Sequence, residues 1–179
     1  SSIIDYTAPT AKTGLTYKGL DQALVNAGVV GDIEGHFEYA LGEDGVFGVT
    51  IPKATDAKTY KVGYKFVSED GGYSSSDPVY ISVTIAKKEV TVEWGETTLT
   101  YNGTSQAPTA TLNGVVTGDD VKASIVGHQT SVGSNFTATA TLSGEKKENY
   151  VIAGDNTTTY SIIPSSVGDY TVPTANENL

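Results

Sequence analysis

At 179 residues, with a net charge of −10, no cysteine and lysine as its only strong cation, the chain excludes several functions at once. Spread negative charge without arginine leaves no cationic footprint for nucleic acid and no planar fork for phosphate. Zero cysteines remove disulfides, zinc–thiolate sites and thiol nucleophiles, while plentiful Thr, Val, Tyr and Gly favour an all-β chain.

The opening residues hold a candidate edge strand, Ile3 to Tyr6, broken at Pro9. Leu15-Thr16-Tyr17-Lys18-Gly19-Leu20-Asp21-Gln22-Ala23 follows, and Leu99-Thr100-Tyr101-Asn102-Gly103-Thr104-Ser105-Gln106-Ala107 repeats it eighty-four positions later. Leu, Thr, Tyr, Gly, Gln and Ala recur at the same offsets, so one structural unit is used twice. Each copy reads as a strand entering a tight turn with Gly at positive φ.

Phe37, Tyr39 and Leu41 alternate with polar or small neighbours, Glu43-Asp44-Gly45 marks a turn, and Val49 to Pro52 is expected as a short strand. Tyr60, Val62, Tyr64 and Phe66 share one face of a strand, with Lys61, Gly63 and Lys65 facing solvent. Val79, Ile81, Val83 and Ile85 form the last strand of the first unit. Only Ala86-Lys87-Lys88-Glu89 separates it from the next strand, in which Val90, Val92 and Trp94 align. So short a junction, without Gly or Pro, predicts restricted bending. Strands at 109–112, 121–125 and 136–142 follow, and Tyr160 and Ile162 close the second unit at Pro164. Tyr60, Val62, Tyr64, Phe66, Val90, Val92, Trp94, Phe136 and Leu142 are the expected core. Tyr17, Tyr101, Tyr73 and Tyr150 recur with the repeat, which points to packing.

The second motif, with Val132-Gly133-Ser134-Asn135-Phe136, Glu148-Asn149-Tyr150 and Tyr160-Ser161-Ile162, resembles the bacterial MBG/YDG-type immunoglobulin-like repeats. Pro9 to Lys12 and Thr55 to Tyr60 carry the likeness into the first unit, although Lys18, Asp21 and the Gly-rich 28–35 stretch depart from it. The resemblance implies two tandem immunoglobulin-like antiparallel β-sandwich domains arranged end to end, at 1–86 and 87–164. Residues 165–179 are read as a C-terminal tail or linker, and the whole as a segment of a longer chain.

Chemistry-bearing residues are sparse. His36 and His128 lie at unrelated places in the two units and read as surface histidines without a metal or triad role. The acidic pairs Asp32/Glu34, Glu43/Asp44, Glu69/Asp70 and Asp119/Asp120 lack the spacing of a calcium loop and read as solvated turns. Trp94 is in register with core residues, which leaves Tyr80 as a solitary candidate for stacking on a sugar. Lys88, Asn156 and Glu93 have chain positions roughly suited to an intramolecular isopeptide bond, but Glu93 alternates outward. Asn102, Asn135 and Asn156 begin sequons expected by chance in so Thr-rich a chain. No catalytic, cofactor or metal residue is assigned, and the ligand-binding residues are unknown.

The sequence thus reads as a non-enzymatic stalk or spacer of an extracellular bacterial surface or secreted protein. The alternative is an adhesin or carbohydrate-binding module using end loops or an exposed sheet face. Its expected partners are a host or cell-surface glycan or protein reached through the parent protein. A monomer is expected, with neither nucleic acid binding nor membrane insertion.

Overall fold

A computed structural model describes residues 6–168 and 171–177. The expected strand at Ile3 to Tyr6 lies mostly outside them. Ten strands precede Lys87: β1 (Tyr6–Thr7), β2 (Thr10–Ala11), β3 (Leu15–Thr16), β4 (Gln22–Ala23), β5 (Val25–Asn26), β6 (Val29–Val30), β7 (Gly35–Leu41), β8 (Lys53–Ala54), β9 (Thr59–Ser68) and β10 (Val79–Ala86). Seven follow it: β11 (Lys88–Trp94), β12 (Thr98–Thr100), β13 (Ala110–Asn113), β14 (Lys122–Val126), β15 (Gly133–Ser143), β16 (Tyr150–Ile152) and β17 (Thr157–Ile163). The protein is all-β, and a three-residue 3-10 turn, Lys147–Asn149, is the sole helical element among the described residues.

Among these strands, every pairing stays on one side of Lys87. The first half builds a four-stranded sheet in the order β3-β10-β9-β7, with the short pairs β1-β6, β2-β5 and β4-β8 beside it. The second half builds β12-β17-β15-β14 and β13-β11-β16. These sheets are mixed, which corrects the purely antiparallel expectation. Leu15 lies opposite Ile85 and Leu99 opposite Ile162 in parallel pairs, and β16 runs parallel to β11. The cause is a change of partner: in each half the opening strands pair antiparallel with one set of strands. The chain then bends and lies alongside the last strand of the half, running in the same direction.

Apolar alternation places the core where burial is strongest at mid-strand. Val62, Phe66 and Val90 are buried as expected, whereas Tyr60, Tyr64, Val92, Trp94, Phe136 and Leu142 are half-buried at the margins. Tyr6 packs on Phe37 and Phe66, with ring centroids 5.1 Å from each, so the first strands form a lid over β7 and β9. Leu41, expected inward with Phe37 and Tyr39, is exposed at the end of β7.

The face of β9 assigned to solvent is partly covered. Residues 42–52 fold back as a loop rather than the strand expected at Val49 to Pro52, and Val49 is exposed. Gly63 is buried beneath this cover; a Cβ there would stand 2.7 Å from Tyr80 Cε1 and 3.1 Å from Phe47 Cζ. Lys65 Nζ lies 4.7 Å from the Phe47 ring centroid, and Lys61 pairs with Glu43 at 2.6 Å.

Candidate functional site

The most elaborate polar construction among the described residues joins the two halves of the molecule. The Leu-Thr-Tyr motif delivers Tyr17 off the end of β3, where its N–H donates to Ala86 O at 2.8 Å. From there the Tyr17 hydroxyl donates to Asp119 Oδ2 across the boundary at 2.7 Å. Tyr150, opening β16, donates to the same oxygen, and its hydroxyl accepts the Val116 N–H at 3.0 Å. The two rings meet edge to face at 5.4 Å, and both residues are buried. Burial and the adjoining carboxylate both disfavour a phenolate, so Tyr17 is held well above the ordinary phenol range and Tyr150 is pushed up to about 12.

A second bridge flanks the first. The Asn149 side chain, 5% exposed, accepts the Ala57 N–H at 2.7 Å and donates to Asp56 Oδ1 at 3.1 Å. Buried amides need such satisfaction, and this one is met wholly from the other half. Gly19, at φ +74°, completes the contact: a Cβ there would sit 2.9 Å from Val116 Cγ1. One apolar cluster runs through the boundary, joining Tyr17, Leu24 and Ile85 to Val90, Val121 and Tyr150. A second, around Ala138, Tyr160 and Ile162, is confined to the second half.

These residues were only partly visible beforehand. Asp119, read as part of a solvated turn, is the acceptor shared by both tyrosines. Of the four recurring tyrosines, Tyr17 and Tyr150 pack as expected, but Tyr101 and Tyr73 are exposed. Asn149 precedes Tyr150 where Gly72 precedes Tyr73, so the repeat carried no signal for its bridge to Asp56.

Of the other sequence candidates, His36 and Glu69 meet, but they form no larger site among the described residues. His36 lies between Glu69, at 2.9 Å, and Glu38, at 3.3 Å, and hydrogen bonds to Glu38 and then Glu69 raise its pKa. His128 is exposed elsewhere, and no group of three or more metal-ligating residues occurs among the described residues. Lys88 Nζ donates to Gly114 O at 2.5 Å, Asn156 to Ala140 O at 3.0 Å, and Glu93 accepts from Asn113 at 3.1 Å, so the proposed cross-link trio is dispersed. Asn102 caps its own turn through Thr104, while Asn135 takes φ 57° in a bulge of β15. Trp94 packs against the second cluster, and Tyr80 lies over Gly63. Open recesses among the described residues include one bounded by Tyr39, Leu41, Val46 and Pro52 and another by Leu142, Glu148, Tyr150 and Asn156.

Comparison with known proteins gives no match to a family model, to a curated protein or to a solved structure. No helix among the described residues is long and apolar enough to cross a membrane.

Proposed function

We propose that the chain is a structural spacer: two tandem immunoglobulin-like β-sandwich domains, meeting at Lys87 and held in a fixed relative orientation. The observation that carries this reading is the buried Tyr17–Asp119–Tyr150 cluster with its Asn149 bridge. Flexible tethers leave polar groups to water; here several are satisfied only when both halves are seated. The connection supports the same reading, because β10 ends at Ala86 and β11 begins at Lys88, with one residue between them. The resemblance to bacterial surface repeats supplies the setting, an extracellular protein in which such a segment keeps a distal module away from the cell.

Inserting Gly-Gly-Ser after Lys87 tests the proposal. The inserted residues themselves should cost little, since a short insertion adds little loop entropy. The distribution of interdomain distances from small-angle X-ray scattering should broaden. A distribution already broad before the insertion would mean that the junction is a hinge.

One observation favours binding as a second reading. Residues 42–58 link β7 to β9 in the first half, where the corresponding link in the second is only 127–132, and the longer one exposes Val46 and Val49. Loops that differ between repeats are where recognition is built on a shared scaffold. Replacing residues 43–50 with a short turn should leave a pure spacer unaffected and abolish glycan or protein adhesion if that loop is the contact.

A further inference from the structure

The last fifteen residues repeat the first fifteen. SSVGDYTVPTANENL, residues 165–179, matches SSIIDYTAPTAKTGL, residues 1–15, at nine positions without a gap. The matches include Asp169-Tyr170-Thr171 against Asp5-Tyr6-Thr7, Pro173-Thr174-Ala175 against Pro9-Thr10-Ala11, and Leu179 against Leu15. Asn178 stands where Gly14 takes φ +69°, and Asn is among the few residues that tolerate that backbone. In the first half this stretch makes β1 and β2, with Pro9 between them, and opens β3 at Leu15. In the tail, residues 165–168 and 171–177 form no strand and are exposed. The places on β5 and β6 that such a strand would take are already filled by residues 6–11.

The surface from which this tail departs is also a repeat. Tyr101 N–H donates to Ile163 O at 2.9 Å, as Tyr17 N–H does to Ala86 O, so the two turns occupy the same slot beside the last strand of their halves. Around Tyr17 that slot is covered by Val116, Asp119 and Tyr150. Around Tyr101 it is open: Tyr101 is 41% exposed and Ile163 45%. Pro164 follows Ile163 as Lys87 follows Ala86, so a unit beginning at Ser165 would start beside the open turn.

We infer that residues 165–179 are the opening strands of a further unit of the first-half type, and that the open turn at Tyr101 and Ile163 is the seat on which that unit packs. Such a unit carries chemistry suited to the seat. Gly31-Asp32 lies on its β6–β7 connection, as Gly118-Asp119 lies on the β13–β14 connection, and Tyr73, 44% exposed, lies on the β9–β10 connection as Tyr150 lies between β15 and β17. Tyr101 thus meets a carboxylate and a second tyrosine, and the two halves together form one period of 164 residues. The inference rests on the spacer reading and extends it from one fixed junction to two alternating kinds.

The test is the full chain extended from Leu179 by a second copy of residues 16–86. Amide hydrogen exchange at Thr171, Val172, Thr174 and Ala175 should be fast in the 179-residue chain and slower by roughly a hundredfold or more in the extended one. Nuclear spin relaxation should show the third unit tumbling with the second, and Tyr101→Ala should release that coupling while leaving all three units folded. Exchange that stays fast in the extended chain would overturn the strand assignment. A folded third unit that tumbles independently with Tyr101 intact would overturn the seat. The same relaxation data report the Lys87 junction: a loose Lys87 junction defeats the spacer reading, whereas a rigid one beside a loose third unit defeats this inference alone.

Discussion

The turns at Tyr17 and Tyr101 share sequence, backbone and hydrogen bond to the neighbouring strand, with Gly19 at φ +74° and Gly103 at +77°. Their surroundings differ completely. Tyr17 is 2% exposed and donates to Asp119, while Tyr101 is 41% exposed. Local sequence therefore specifies the turn, and whatever packs on it specifies whether its tyrosine is core or surface. The same motif is a joint in one place and a bare end in the other.

Tyrosine truncation should separate the two turns most widely. Tyr17→Ala should cost about 3–5 kcal/mol, as large-to-small changes at buried aromatic sites do, and Tyr101→Ala less than about 1 kcal/mol. Urea melts of the two variants read this directly; similar losses would mean that the joint adds nothing to the turn. Asp119→Ala comes next, at roughly 1–3 kcal/mol, because it leaves two buried hydroxyls without their acceptor. Gly19→Ala and Gly103→Ala should each cost about 1 kcal/mol for left-handed backbone. Gly19→Ala should exceed its partner, because only there does the new Cβ press on Val116.

Two pH effects sharpen the picture further. Tyr17 and Tyr150 have their pKa values raised by folding, so the native state holds their protons more tightly than the unfolded chain. Their contribution is complete below pH 10 and falls as pH rises from 10 through about 12. Melts across that range should show a loss that Tyr17→Phe reduces. The smallest effect belongs to His36, also raised: protonation stabilises it below its ordinary value near 6.5, and the gain is lost as pH climbs above that. Because it is partly exposed, the change should be slight, and His36→Gln should remove it.

The long strands were legible in the sequence because their alternation is local. Tyr60 to Phe66, Val79 to Ile85 and Phe136 to Leu142 all lie within strands of the structure, and the Gly19 and Gly103 turns fall where their spacing placed them. The parallel edges were not legible, since register between distant segments leaves no period in either one. Nor was the joint. Asp119 and Asp56 sit on loops and Asn149 ends a 3-10 turn, and their polar side chains look the same in a sequence whether they face water or another half of the molecule. Tyr73 shows the converse: it recurs with Tyr150 in chain position, yet it is exposed where Tyr150 is buried.

Rigidity of the joint is most directly measured by paired spin labels, which the absence of native cysteine makes simple. Cysteines placed at the exposed positions Lys53 and Thr111 put one label on each half. A fixed joint gives one narrow distance distribution in the parent chain, broadened by Asp119→Ala and broadened further by Gly-Gly-Ser after Lys87. A distribution that is broad from the start, or that ignores the loss of Asp119, would contradict it.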